Sequence, residues 1–177
     1  MLDIDRPVLL GHSLGAATIL SAALANPGRF AAIVLIAPAS TTGLDFLPDE
    51  ASFDVLAHPT REQQRALARA AFRRAPSEED FRDLMAVLEL ASPEHIEGAA
   101  RAMRTFTCQA NLIALDVPSI LICGDRDRHV PLRNHLATQQ AIPRCGLQVY
   151  FDIGHVPFIE TPDSCAADVE RFLSMIA

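Results

Sequence analysis

The sequence predicts an α/β fold built on a mostly parallel sheet of about four strands flanked by helices. Two observations predict it. Four short, apolar runs are spaced along the chain, and segments with helical patterning separate them. All-apolar strands are typical of a parallel sheet that is covered on both faces, and strands that alternate with helices build such a sheet. Half of the 177 residues are hydrophobic, which is enough to fill a core.

The first strand and the first helix surround a glycine-rich turn. Residues 7–10 (PVLL) predict a short buried strand, and the turn is predicted at 11–15 (GHSLG). The small, apolar residues 16–26 predict a helix that packs closely on the sheet and ends before a Pro-Gly pair. The second strand is predicted at 31–36, where every residue is apolar.

The last third of the chain repeats this alternation. Apolar runs predict the third and fourth strands at 118–123 and 146–151. Helices are predicted at 132–142 and 162–176, and Pro162 suits the first position of the second of these helices.

The middle of the chain contains no evident strand. Helix-start signals at Thr60, Ser77 and Ser92 predict three helices there. An arginine stripe at helical spacing, formed by Arg65, Arg69 and Arg73, is interpreted as a solvent-facing surface. Three helices between two strands indicate an inserted cap. We therefore expect one domain in three parts: core residues 1–43, a helical cap at 44–115, and core residues 116–177.

Composition excludes several classes of partner. The formal net charge is −7, which argues against nucleic acid or an anionic membrane. No apolar run approaches the ~18 residues of a membrane span, and the first residues lack a secretory signal. We therefore expect a cytoplasmic protein. Every one of the fifteen cationic residues is arginine, which is typical of a GC-rich bacterial gene.

Neither the cysteines nor the histidines show the spacing of a metal site. The four cysteines form no C-x-x-C pair, so neither a disulfide framework nor a thiolate zinc site is expected, and Cys123 is predicted to be a core residue. No two histidines have the spacing of metal ligands. We expect no metal and no cofactor.

The motif G-x-S-x-G stands at Gly11 to Gly15, between the first strand and the first helix. This is the setting of a nucleophile elbow, which presents a serine above the end of a strand. Gly11 and Gly15 are expected to allow the tight turn and the close approach of helix to strand. Ser13 is then the candidate nucleophile. The backbone N–H of Leu14, at the helix N-terminus, is the candidate oxyanion donor.

A nucleophilic serine needs an imidazole base that a carboxylate orients. Asp125 and Asp127 follow the third predicted strand, and His155 follows the fourth. The carboxyl ends of parallel strands meet at one edge of a sheet, so these side chains are expected to lie near Ser13.

Four segments together resemble the α/β-hydrolase superfamily, in particular its small, cap-bearing esterase and lactonase-like members. They are GHSLG, DVPSILICG, GDRDRHVP and GHVPFIETP. The resemblance covers the whole chain and is weakest in the cap. It implies that Ser13 is the nucleophile, Asp127 the acid and His155 the base. Asp125 is then a turn residue, and His129 belongs to the loop or the pocket rim.

The resemblance implies a serine hydrolase that cleaves a small ester or related acyl compound through an acyl-enzyme. The alternative reaction on the same triad is hydrolysis of a carbon–carbon bond. That alternative is favoured if Arg101 or Arg104 points into the pocket to hold a substrate carboxylate. Serine at the elbow excludes relatives that use aspartate there, namely haloalkane dehalogenases and epoxide hydrolases. Three other histidines without partners are expected on the surface: His58, His95 and His135.

The position of the motif raises a further expectation. In the family, the elbow follows the fifth strand, and a loop with an H-G pair supplies the second oxyanion donor. This sequence has no H-G pair. We therefore expect the C-terminal two-thirds of a hydrolase. The alternative to an active enzyme is an inactive C-terminal fragment that needs an N-terminal half. Ser13 is expected to be unusually open to solvent. The strand Val8–Leu10 is expected to form an exposed edge that can pair with another chain.

Overall fold

A four-stranded parallel sheet organises the chain. The computed structural model describes residues 4–44 and 49–176. The predicted α/β fold class is confirmed, and each predicted strand is present with its ends shifted by two residues at most. The strands follow one another in space in the same order as in the sequence, and all neighbours are parallel. They are β1 (Val8–His12), β2 (Ala32–Ile36), β3 (Ser119–Gly124) and β4 (Cys145–Tyr150).

Eight α-helices connect or cover these strands in the described part of the chain, and a 3-10 helix at Gln109–Ala114 precedes β3. In chain order the α-helices are α1 (Leu14–Ala25), α2 (Glu50–Ala57), α3 (Arg61–Ala70), α4 (Glu78–Leu88), α5 (Pro93–Thr105), α6 (Leu132–Ala141), α7 (Pro157–Glu160) and α8 (Pro162–Ile176).

The two central strands, β2 and β3, are buried on both faces, as their apolar sequences predict. Alternate residues of a strand point to opposite faces. Leu35 and Leu121 therefore share an apolar cluster with Leu20 of α1, whereas Val34 packs with Phe172 of α8 on the other face. The sheet is the middle of three layers, and its carboxyl edge is left free to carry loops.

The segment between β2 and β3 contains four α-helices, one more than predicted. The additional helix, α2, begins after Asp49, whose side chain accepts a hydrogen bond from the backbone of Ser52. The capping box at Thr60 is present, and Ser77 and Ser92 cap α4 and α5 as predicted. We call α2–α5 the helical segment.

Arg65 and Arg69 of the predicted arginine stripe are exposed, and both also cover an aromatic ring, whereas Arg73 is partly buried. The guanidinium carbons of Arg65 and Arg69 lie 5.2 and 4.0 Å from the ring centroid of Phe81. Arg73 instead pairs with Asp152 at 2.7 Å. The stripe therefore stabilises the helical segment and joins it to the loop after β4.

Two smaller observations complete the fold. All four cysteines are free thiols, and Cys123 is fully buried in the core, as predicted. Within residues 4–44 and 49–176, no helix has the length and the apolar character that crossing a bilayer requires.

Candidate active site

Ser13 stands alone between β1 and α1, in a backbone conformation that residues other than glycine rarely adopt. Its φ is 52° and its ψ is −118°. Such a conformation costs on the order of 1–3 kcal/mol and persists only where its surroundings hold it. Here the Ser13 N–H donates to the carbonyl of Ile36 on β2 at 3.0 Å. The turn is tighter than the predicted 11–15, because β1 continues to His12 and α1 begins at Leu14.

The two glycines of the motif have different roles. A Cβ on Gly11 would lie 2.7 Å from the Ile19 side chain and 2.8 Å from the backbone of Gly15. The close approach of β1 and α1 therefore requires glycine at position 11. At Gly15 a Cβ would meet no atom within 4 Å. The expectation that both glycines serve the close approach is wrong for Gly15, because this residue faces open space on α1.

Ser13, His155 and Asp127 form one chain of hydrogen bonds. The Ser13 hydroxyl donates to His155 Nε2 at 3.0 Å, and His155 Nδ1–H donates to Asp127 Oδ2 at 2.7 Å. The three residues follow the carboxyl ends of β1, β4 and β3. Because those ends share one edge of the parallel sheet, residues far apart in sequence meet there. The geometry suits transfer of a proton from the hydroxyl to the imidazole.

The side chain of Asp127 is fully buried, and its oxygens accept four hydrogen bonds. Oδ1 accepts the backbone N–H groups of His129 and Val130 at 2.8 and 2.9 Å. Oδ2 accepts ring N–H groups from His155 at 2.7 Å and His135 at 3.1 Å. Burial alone would raise the pKa of Asp127, but the bonds from His135 and His155 outweigh it and hold this pKa well below its ordinary value.

Asp125 has the turn role predicted for it. Its Oδ1 accepts the backbone N–H of Asp152 at 2.6 Å. Asp152 has a φ of 58°, so this bond holds a left-handed residue in the loop after β4. Asp125 therefore fixes the loop that carries His155 and takes no part in the hydrogen-bond chain to Ser13.

Two further histidine rings pack on the ring of His155. Their centroids lie 4.8 Å (His12) and 5.0 Å (His129) from that of His155. His12 Nε2–H donates to the carbonyl of His155 at 2.9 Å, and His129 Nε2–H donates to the carbonyl of Leu67 in α3 at 3.0 Å. Burial and the charge of His155 lower the pKa of His12 and of His129 to about 4. Both rings are therefore neutral at pH 7.

Main-chain contacts join the helical segment to the loop that carries His155. The His155 N–H donates to the carbonyl of Ala71, directly after α3, at 2.7 Å. The carboxylate of Glu160 accepts the N–H of Gly154 at 2.7 Å and that of Arg73 at 2.9 Å. A Cβ on Gly154 would lie 2.5 Å from the Ala71 carbonyl oxygen. This approach is possible only with glycine.

The structure corrects the placement of one histidine. His58 and His95 are exposed as predicted, but the prediction that His135 lies on the surface is wrong. His135 is fully buried, because α6 turns it toward Asp127. Ser13, which we expected to be unusually open to solvent, is partly buried. Leu14 is the first residue of α1, where a backbone N–H has no intrahelical acceptor.

The two arginines considered for a substrate carboxylate have other partners. Arg101 donates to Glu97 at 2.7 Å, and Arg104 forms a two-point contact with Glu50 at 2.6 and 2.7 Å. Both arginines are exposed. The orientation that would favour carbon–carbon bond hydrolysis is not the one they adopt.

An apolar groove of about 510 Å³ runs between β1 and α8. In the described chain β1 pairs with β2 alone, so its other edge has no strand neighbour, as the sequence predicts. Val8 and Leu10 of β1 are 42% and 55% exposed, and Leu10 lines the groove. Six of the lining residues are Leu10, His12, Ile36, Phe158, Cys165 and Val169.

The known proteins that resemble this chain in sequence or in fold include esterases and other hydrolases. The family model described as "Alpha/beta hydrolase family" matches residues 2–168. The pimeloyl-[acyl-carrier protein] methyl ester esterase of Serratia marcescens is 27% identical over 93% of this chain. The 2-hydroxy-6-oxononadienedioate/2-hydroxy-6-oxononatrienedioate hydrolase 2 of Pseudomonas putida is 26% identical over 88%. The solved structure of an esterase from Exiguobacterium antarcticum superposes with a TM-score of 0.80 at 20% identity, over 96% of this chain.

This chain is shorter than these proteins. The match spans 69% of the Serratia marcescens esterase and 58% of the Pseudomonas putida hydrolase. It covers 66% of the Exiguobacterium antarcticum structure.

Proposed function

Because this chain belongs to the α/β-hydrolase family, we propose that it is a serine hydrolase that cleaves small ester or related acyl compounds. One observation carries the proposal. The hydroxyl of Ser13, the imidazole of His155 and the carboxylate of Asp127 are joined in series at 3.0 and 2.7 Å. Similarity to a methyl ester esterase supports an ester as the substrate.

The proposed reaction has two halves. Ser13 Oγ attacks the acyl carbon while its proton passes to His155 Nε2, and Asp127 stabilises the imidazolium that forms. The N–H of Leu14 donates to the developing oxyanion. His155 then gives the proton to the leaving alcohol, which departs and leaves an acyl group on Ser13. Water, deprotonated by His155, attacks that acyl group, and His155 then returns the proton to Ser13 Oγ as the acid leaves.

We assign the selection of the acyl group to the helical segment, in the role of the predicted cap. Its contacts with the loops that carry His129 and His155 support this role. Leu67 accepts the hydrogen bond of His129, and Ala71 accepts that of the His155 backbone. Side chains of this segment are therefore held close to the place where an acyl chain would lie.

Carbon–carbon bond hydrolysis on the same triad is the second candidate. Its support is the similarity to the Pseudomonas putida hydrolase named above. Arg101 pairs with Glu97 and Arg104 with Glu50, so the condition that would favour this reaction is not met, and the ester remains the first choice.

The test is a panel of p-nitrophenyl esters of rising acyl length, with 2-hydroxy-6-oxononadienedioate as the competing substrate. The Ser13→Ala variant removes the nucleophile, and Ser21→Ala, on the adjacent helix α1, is its control. A fluorophosphonate probe followed by peptide mass analysis reports whether Ser13 is reactive. We expect ester turnover and labelling in the parent and in Ser21→Ala, and neither in Ser13→Ala. Turnover of the dienedioate without any ester would establish the second candidate, and labelling at another residue would overturn both.

A further inference from the structure

A second histidine contacts the carboxylate that orients His155. His135 Nε2 lies 3.1 Å from Asp127 Oδ2, the oxygen that His155 Nδ1 also contacts at 2.7 Å. The side chains of His135 and Asp127 are both wholly inaccessible to solvent. One carboxylate oxygen therefore has two imidazole neighbours, one from the loop after β4 and one from α6.

The unpaired nitrogen of His135 indicates its protonation state. An ionised carboxylate only accepts hydrogen bonds, so His135 Nε2 carries the hydrogen of this contact. The other ring nitrogen, Nδ1, is buried and has no partner. A charged ring would leave a buried N–H donor unsatisfied there, whereas a neutral ring leaves only a lone pair. His135 is thus a neutral donor with the hydrogen on Nε2.

The position of His135 follows from the packing of α6. His135 and Thr138, three residues apart, lie on the buried face of this helix. Thr138 donates to the carbonyl of Asn134 at 2.9 Å and contacts the Thr41 hydroxyl at 3.1 Å. These contacts fix the rotation of α6 and place the His135 ring beneath the loop that carries Asp127.

We propose that His135 is a positioning residue that acts through Asp127: it holds the carboxylate in place and weakens its pull on the His155 proton. The inference rests on the proposed function only for its effect on catalysis. Two donors on Oδ2 share the electron density of one oxygen. The hydrogen bond from His135 therefore reduces the stabilisation that Asp127 gives to a protonated His155. Removing it makes His155 more basic.

Other titratable groups face this network and must be kept constant. His12 from β1 and His129 from the loop after β3 pack on the His155 ring. Cys123 of β3 lies close enough to Asp127 for its pKa to be raised, chiefly by burial and further by that charge. The variants below leave all three unchanged.

The experiment compares His135→Leu with His135→Gln. Leucine removes the donor at similar volume, whereas the glutamine amide nitrogen reaches the position of Nε2 and keeps it. The measurement is the pH midpoint at which the His155 ring titrates, followed by NMR on histidine-labelled protein. We expect the midpoint in His135→Leu to move up by about one pH unit, the usual scale of such perturbations. The midpoint in His135→Gln stays at the parent value.

The result distinguishes this role from packing and from the proposed function. A residue that only fills space would give the same midpoint in parent, leucine and glutamine proteins, which would overturn the proposal. If the leucine variant does not fold, the test is made on the parent protein. Its ¹⁵N spectrum must show His135 neutral with the hydrogen on Nε2, and a doubly protonated ring would refute the inference.

The NMR measurement needs no turnover, so failure to hydrolyse esters would count against the proposed function alone. Where esters are hydrolysed, the acidic limb of the rate moves with the midpoint.

Discussion

The backbone N–H of His155 donates to the carbonyl of Ala71 at 2.7 Å. Ala71 follows α3, so the helical segment contacts the backbone of the candidate base itself. Glu160 reinforces the contact by accepting N–H groups from Gly154 on one side and Arg73 on the other. The position of the imidazole therefore depends on the docking of the helical segment.

We predict that Glu160→Gln lowers both activity and stability. The glutamine NH₂ cannot accept a hydrogen bond, so at least one of the backbone N–H groups of Gly154, Arg73 and Arg74 loses its partner, at a cost of about 1–3 kcal/mol. A small displacement of a catalytic group costs as much as ~10²-fold in rate, and we expect kcat to fall between tenfold and a hundredfold. Ester kinetics and urea unfolding measure the two effects.

Glu170→Gln is the matched control, because Glu170 lies on the exposed face of α8. It should keep the parent rate and the parent free energy of unfolding. Parent-like kinetics in Glu160→Gln would show that docking of the helical segment does not position His155.

We predict that replacing the two glycines of the motif by alanine has opposite effects: Gly11→Ala lowers the thermal stability, and Gly15→Ala raises it. Gly11→Ala places a methyl group 2.7 Å from the Ile19 side chain and 2.8 Å from the backbone of Gly15, so β1 and α1 must separate. Gly15→Ala adds a methyl group in open space on a helix and should stabilise the protein by up to about 1 kcal/mol. Thermal unfolding of the two variants checks this. A loss of stability in Gly15→Ala would contradict the assignment.

Acid should destabilise the protein through His12 and His129. The pKa of each is lowered from 6.5 to about 4 by burial and by the charge of His155. The unfolded chain therefore binds more protons than the folded one between pH 6.5 and pH 4. The free energy of unfolding consequently decreases as the pH is lowered through that window. The loss is on the order of 2–3 kcal/mol for each ring. The pKa of Asp127 is also lowered in the folded protein, so this group contributes a further loss of stability, but only below about pH 4.

Urea unfolding at pH 7 and pH 4.5 measures this loss. The His129→Gln variant keeps a donor for the carbonyl of Leu67 but has no ring to protonate. Its free energy of unfolding should therefore change less between the two pH values than that of the parent. Identical changes in both proteins would rule out His129 as a source of acid sensitivity.

Motifs at strand ends could be predicted because their chemistry is local. An all-apolar run fixes a buried strand, and the residues directly after it must lie at the carboxyl edge. This reasoning placed Ser13, Asp127 and His155 together. It missed α2, although Asp49 is a helix-capping residue type at its start.

His135 was missed because its role depends on the rotation of a helix. No motif includes it, and a histidine in a helix is ordinarily interpreted as a surface residue. The spacing of Leu132, His135, Thr138 and Ile142 could have indicated that His135 is buried. Successive members of this set are three or four residues apart and so share one face of the helix. The partner of that face, the loop carrying Asp127, becomes evident only once α6 is packed on the sheet.

The last prediction concerns the outer edge of β1, which we expect to pair with a second copy of the chain. In the described structure β1 has a strand neighbour on one side only, and Val8 and Leu10 expose apolar side chains beside the groove along α8. An unpaired edge of this kind is a template for another strand. Sedimentation should show association that increases with protein concentration, and Leu10→Lys should shift it toward monomer. Val87→Lys changes another exposed apolar residue, on α4, and is the control. Equal effects of the two substitutions, or a monomer at every concentration, would exclude pairing through this edge.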